Sequence, residues 1–154
     1  LVKVQSIHAT RTAFAALRAD GTVVTWGDER NGGDSRADED DLVTVQAIVA
    51  TERAFAALRE DGTVVTWGHD QSGGDSSEVK DHLIGVQSIV PAAYAFAALK
   101  TNGSVVCWGE EADGVPPEVP ADLMEVESIT ASAYAFAALK TDGTVISWGL
   151  DNYY

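Results

Sequence analysis

The chain has 154 residues, 45% of them hydrophobic, which is enough for one domain with a substantial core. Its 10 Lys and Arg stand against 24 Asp and Glu, a formal charge of −14, and a surface that acidic repels the phosphates of DNA and RNA. No run approaches the ~20 apolar residues of a membrane-spanning helix.

One stretch is written four times and organises everything else. It first reads Ala13-Phe14-Ala15-Ala16-Leu17-Arg18-Ala19-Asp20-Gly21-Thr22-Val23-Val24-Thr25-Trp26-Gly27, and it returns as Ala54 to Gly68, Ala95 to Gly109 and Ala135 to Gly149. The tryptophans at 26, 67, 108 and 148 set periods of 41, 41 and 40 residues. A fixed period in that range marks a repeat architecture. The chain therefore reads as a single repeat domain, 1–154, with units at about 1–41, 42–82, 83–122 and 123–154.

Each unit opens on a short apolar segment, Val2 to Ile7 in the first, then Val43 to Ile48, Ile84 to Ile89 and Met124 to Ile129. These are predicted strands. Val4 and Ile7 are three apart, which predicts a bulge or strong twist. A polar link follows, and in the last two units it carries Tyr94 and Tyr134. Next comes a hairpin, signalled by Asp20-Gly21, Asp61-Gly62, Asn102-Gly103 and Asp142-Gly143. A two-residue turn would set Leu17 against Val24, Ala16 against Thr25, Ala15 against Trp26 and Phe14 against Gly27. The same register sets Ala56 against Trp67, Ala97 against Trp108 and Ala137 against Trp148. The repeat rings Phe14, Phe55, Phe96 and Phe136 would then lie on the face opposite Trp26, Trp67, Trp108 and Trp148. Both faces are apolar, so each three-stranded antiparallel unit is expected to be buried on both sides, as a blade between blades.

Loops link the units. Two are alike, Asp28-Glu29-Arg30-Asn31-Gly32-Gly33-Asp34-Ser35 and His69-Asp70-Gln71-Ser72-Gly73-Gly74-Asp75-Ser76. The third departs, with Glu111, Asp113 and Pro116-Pro117. Gly33 and Gly74 are the candidates for positive φ. An acidic run, Asp38-Glu39-Asp40-Asp41, follows the first loop. No segment has helical periodicity long enough to predict a helix.

The sequence of strand, Ala-Leu, Asp-Gly, Val-x-x-Trp-Gly and glycine loop resembles the regulator-of-chromosome-condensation repeat. The short period is most similar to the compact form of a propeller-type beta-lactamase inhibitory protein. The resemblance spans nearly the whole chain and implies β-propeller blades of about three strands. The family usually closes with seven blades and often carries a His before Ala-Leu. Here there are four units, and that slot holds Phe or Ala. Nothing matches the segment by which the founding member acts on its GTPase, so exchange activity is not implied.

The acidic glycine loops are the best candidate site. Asp28, Asn31 and Asp34, then Asp70 and Asp75, with Glu111 and Asp113 in the third loop, are candidate partner contacts. Their order does not match the twelve-residue calcium loop, and solvated turns are the reading we prefer. His8, His69 and His82 occupy unrelated repeat slots without metal spacing. Cys107 is alone, which excludes an internal disulfide, and it fills the slot of Thr25, Thr66 and Ser147. No nucleophile elbow or phosphate loop appears.

No catalytic residue, cofactor or metal is therefore expected. The leading expectation is a non-catalytic protein-binding or scaffolding module with a basic protein partner. The alternatives are an architectural peripheral subunit of a multiprotein complex and, less favoured, a carbohydrate-active or metal-assisted hydrolase. Four blades with apolar faces would leave one face open at each end. The remaining blades are expected in the same, longer chain or in a neighbouring subunit; the first is preferred, because the sequence starts without Met and stops before a fourth loop.

Overall fold

The computed structural model describes residues 1–110 and 117–149. Its strands form four three-stranded antiparallel sheets, each ordered as in the chain. The first blade is β1 (Val4–Ala9), β2 (Ala13–Arg18) and β3 (Val23–Gly27); the second is β4 (Val45–Ala50), β5 (Ala54–Arg59) and β6 (Val64–Gly68). The third is β7 (Val86–Pro91), β8 (Ala95–Lys100) and β9 (Val105–Gly109); the fourth is β10 (Val126–Ala131), β11 (Ala135–Lys140) and β12 (Val145–Gly149). The fold is all-β, and among the described residues helix is limited to short 3-10 turns in the loops.

The predicted bulge is present in every blade. Pairing slips between Val4 and Ser6, and at the matching positions in the other three blades. The extra residue puts Val4 and Ile7 on one face although they are three apart. Just before it the backbone turns through the left-handed region at Lys3, Thr44, Gly85 and Glu125, with φ of 56, 53, 63 and 58°.

The hairpin register differs from the sequence prediction by one residue. Leu17 pairs with Val23, Ala16 with Val24, Ala15 with Thr25, Phe14 with Trp26 and Ala13 with Gly27, and the other blades repeat this. Ala56, Ala97 and Ala137 thus do not face the tryptophans. The cause is the turn. Arg18 N–H donates to Thr22 O at 2.9 Å and Gly21 N–H to Arg18 O at 3.0 Å, which encloses three residues rather than two. Only Gly21, at φ 80°, needs the left-handed region. This is a turn closed by a bulged glycine. Asp20 holds it, accepting from Thr22 N–H at 3.0 Å and Thr22 Oγ1 at 2.6 Å.

That shift changes the faces. Directly opposed residues share a face, so each Phe stacks on its own Trp. The centroids are 5.4, 5.2, 5.2 and 5.6 Å apart in the four blades. One side of a blade is Phe and Trp with Val and Ile; the other is Ala, Ala and Leu. Blades pack in one sense. Ala13, Ala15 and Leu17 meet Val45, Ile48, Phe55 and Trp67 of the next blade. The same core recurs between the second and third blades and between the third and fourth. The small alanines leave room on this side for the neighbouring blade's Phe and Trp rings.

The first strands of adjacent blades neighbour one another and are innermost. Backbone bonds stitch blades together at both ends of these strands. Arg11 N–H donates to Glu52 O at 2.8 Å, Glu52 to Ala93 at 2.9 Å, and Ala93 to Ala133 at 2.8 Å. At the other end, Val45, Val86 and Val126 donate to the turn carbonyls of Gly21, Gly62 and Gly103 in the preceding blade.

Candidate functional site

The first two loops each leave the outer strand of one blade and cross to the Phe–Trp face of the next. Trp67 Nε1 donates to Gly32 O, and Trp108 Nε1 to Gly73 O, both at 3.1 Å and buried. The left-handed residues are Gly32 and Gly73, at φ 97 and 94°, not Gly33 and Gly74 as expected from the sequence. Gly33 and Gly74 are needed for another reason: a Cβ on either would collide with the backbone of Gly27 or Gly68.

The predicted loop residues have distinct tasks. Asp28 caps a short turn, accepting from Arg30 N–H at 2.8 Å. Asn31 spans two blades, donating to Thr12 Oγ1 and accepting from Arg53 Nε, both at 2.9 Å. Asp34 grips Arg36 through two contacts of 2.9 and 2.6 Å, which hold its carboxyl down at about 2. Asp75 accepts from Ser77 N–H at 2.9 Å, and bonds to Ser77 lower its pKa. Asp70 opens the turn Asp70–Ser72. Glu111 and Asp113 lie outside the described residues. Thr25 and Thr66 bond to Ser35 and Ser76 at 3.0 and 2.9 Å, fixing the end of each loop on its outer strand.

Asp34, Asp70 and Asp75 come together; Asp28 and Asn31 stand apart. The three line an open cleft of about 730 Å³ whose floor is the outer strand of the second blade, from Thr63 to Gly68. Glu29, Asp38, Asp41 and Asp81 join them, so seven carboxylates face two cations, Arg59 and Lys80. Burial, then the neighbouring Asp41, pushes the Asp38 carboxyl above its usual value. Arg59 is already engaged, with Nε on Thr63 Oγ1 at 2.8 Å and contacts to Asp41 and Asp61 at 3.8 and 3.9 Å. Such a cleft can attract and orient cationic groups. Sequence reasoning missed Glu29 and Asp81 as contributors. The signal for Asp38 and Asp41 was their acidic run, which no periodicity linked to the loop of the next blade. Among the described residues no group of three or more His, Cys, Asp or Glu is placed to hold a metal ion.

No family model matches the sequence, and no curated protein matches it. Solved structures do. Yeast RCC1 (Prp20), in a structure with Kap60, superposes with a TM-score of 0.66 at 17% identity over 95% of this chain and 43% of that one. The fold is an RCC1-like propeller. The ectodomain of the Arabidopsis thaliana receptor kinase ACR4 gives a TM-score of 0.62 at 21% identity, covering 96% of this chain and 51% of that chain. The computationally designed Ika4 protein gives 0.53 at 16% identity, covering 96% and 91%. The chain thus spans less than half of the yeast protein and about half of the receptor ectodomain. A second structure of Prp20p from Saccharomyces cerevisiae, a protein with binding properties to Gsp1p and histones, gives a TM-score of 0.65 at 17% identity over 95% of this chain and 45% of that one.

Proposed function

We propose that this RCC1-like segment is a non-catalytic protein-binding module that takes a basic protein segment in the acidic cleft of its second blade, as part of a larger propeller or assembly. One observation carries the reading. Two successive loops bring seven carboxylates to one open cleft lined by two cations, with Arg36 paired to Asp34 beside it. Like charges gathered this way repel, and a cationic partner relieves the repulsion. Prp20, which shares the fold, is known with protein partners. The blade side chains are committed to packing, so recognition falls to the loops.

The test uses charge reversal at Glu29, Asp70 and Asp81, whose side chains hold no turn together. Binding of a Lys- and Arg-rich peptide, followed by fluorescence anisotropy, should weaken at least about 10-fold in Glu29→Lys/Asp70→Lys/Asp81→Lys and should weaken steeply with salt. Binding equal to that of the unaltered chain would reject the cleft. Turnover of a glycoside or ester substrate lost in those variants would instead favour a hydrolase. The architectural reading, a peripheral subunit, is favoured by a separate observation: apolar faces stand open at both ends of the blade series.

A further inference from the structure

We propose, resting on the acidic-cleft reading above, that the basic segment is held as an added strand: it pairs in extended form with the free backbone edge of β6, which forms the floor of that cleft.

The free edge follows from the register. In an antiparallel ladder, opposed residues alternate between pairs that exchange backbone bonds and pairs that do not. Arg59 N–H donates to Thr63 O at 2.9 Å and His69 N–H to Arg53 O at 3.0 Å, one at each end of the β5–β6 ladder. Between these bonds Leu58 stands opposite Val64, Ala57 opposite Val65, and so on to Ala54 opposite Gly68. Thr63, Val65, Trp67 and His69 therefore turn their backbone groups to β5, and Val64, Thr66 and Gly68 turn theirs outward. The returning loop covers the Gly68 carbonyl, since a Cβ on Gly74 would lie 2.5 Å from it. Two donors and two acceptors remain, on Val64 and Thr66, and no described residue bonds to them. β6 is the outer strand of its three-stranded sheet, so no further strand of the blade takes them. Unpaired N–H and C=O groups in a row are a template for an extended segment.

Charge selects the occupant. Side chains of an added strand alternate between the two faces of the sheet. The first loop ends at Leu42, packed with Val65 and Trp67, and the second ends at Leu83, packed with Val64. The first loop thus brings Glu29, Asp34, Asp38 and Asp41 to one face of the edge, and the second brings Asp70, Asp75 and Asp81 to the other. Successive residues of the segment meet acid on alternate sides. That selects a run of consecutive Lys and Arg over the alternating polar and apolar pattern of a half-buried strand. A second copy of β6 would bring its own carboxylates against these, which opposes self-pairing. The first blade has the same free edge, at Val23 and Thr25, without the same field. Its cleft sets three carboxylates, Glu29, Asp34 and Glu39, against Arg18 and Arg36.

The experiment is amide hydrogen exchange by NMR, on the chain alone and saturated with a short peptide of alternating Lys and Arg. The Val64 and Thr66 amides should slow by about 10-fold or more on binding, while those of Val23 and Thr25 change less than about 2-fold. Peptide chemistry reads the same contact independently, because a strand turns only every second residue's backbone toward one neighbour. N-methylation of every second residue leaves one edge intact and should keep affinity within about 3-fold; N-methylation of every residue removes both edges at unchanged charge and should weaken binding about 10-fold or more. A peptide that binds, and is lost in Glu29→Lys/Asp70→Lys/Asp81→Lys, but leaves Val64 and Thr66 exchange unchanged or tolerates full methylation, overturns strand addition and leaves the acidic cleft standing. Equal slowing at Val23 and Thr25 overturns the choice of β6. Slow exchange at Val64 and Thr66 in the free chain that quickens on dilution gives the edge to a second copy and overturns the proposal as well. Absence of peptide binding removes both the strand and the cleft.

Discussion

Trp67→Ala is the sharpest test of the blade packing. Trp67 is 3% exposed, stacks on Phe55 at 5.2 Å and donates to Gly32 O at 3.1 Å. An aromatic side chain of this kind buries roughly 200 Å², which at about 25 cal/mol per Å² is worth ~5 kcal/mol. The unfolded chain already hides part of that area, which trims the figure. The lost hydrogen bond and the orphaned Gly32 carbonyl add ~1 kcal/mol. The expected loss is about 3–5 kcal/mol, the range for a large aromatic removed from a core. Urea denaturation followed by far-ultraviolet circular dichroism measures it. Trp67→Phe keeps most of the area and drops the bond, so about 1–2 kcal/mol should go. Trp26→Ala, in the open face of the first blade, should cost clearly less than Trp67→Ala in the monomer. A loss below ~1 kcal/mol for Trp67→Ala, or equal losses at positions 26 and 67, would refute the one-sided packing of blade on blade.

Three further outcomes are expected. Thr44 holds φ 53° with a β-branched side chain, where the third blade has Gly85, so Thr44→Gly should raise the melting temperature by relieving ~1–2 kcal/mol of strain, less ~0.5–1 kcal/mol of chain entropy; a fall would show that the strain is not there. His69 stands where Asp28 caps its turn, and its buried Nδ1 is without a partner, so His69→Asp should stabilise the second loop by ~1 kcal/mol in denaturant titration. Asp20, Asp61 and Asp142 have their carboxyl pKa lowered chiefly by bonds from Thr22, Thr63 and Thr144. A depressed folded pKa gives stability that is complete above the unfolded value and lost as pH falls through the folded one. The triple variant Asp20→Asn/Asp61→Asn/Asp142→Asn should therefore match the unaltered chain near neutrality and lose less stability below pH ~4, because Asn102 makes the same bonds at 3.0 and 2.6 Å. Identical acid unfolding of the two chains would rule out this role for the aspartates.

The strands, their number and their order were legible because a fourfold repeat averages away local ambiguity. The bulge was legible from the three-residue spacing of Val4 and Ile7. The hairpin register was not, since Asp-Gly serves turns of two or three residues equally well. The deciding residue was the Thr or Ser that follows, Thr22, Thr63, Ser104 and Thr144, each bonded back to its Asp or Asn. That signal was present in all four copies. One residue of slip moved every tryptophan to the face of its phenylalanine, because side chains alternate with a period of two. The candidate site was half legible. Asp34, Asp70 and Asp75 share a cleft because neighbouring blades set equivalent loops side by side, which a linear reading does not reveal. Asp28 and Asn31, with the same composition, hold the loop itself.

The two kinds of surface in this chain follow from one design constraint. A blade apolar on both faces has no wet face on which to carry recognition, so its loops must do so. Repetition then multiplies whatever charge a loop carries, because the period that stacks Phe55 on Ala15 also stacks one acidic loop beside the next. The cost is visible in Asp38, whose carboxyl is driven upward by burial and by Asp41. A raised folded pKa means that ionising Asp38 opposes folding, so this contribution to stability falls as pH rises through the window above the ordinary carboxylate value. A bound cation should reverse that shift. Titration of the Asp38 carboxyl by NMR, alone and with a Lys- and Arg-rich peptide, should show its pKa fall on binding. An unchanged Asp38 in a saturated complex would place the peptide elsewhere on the molecule.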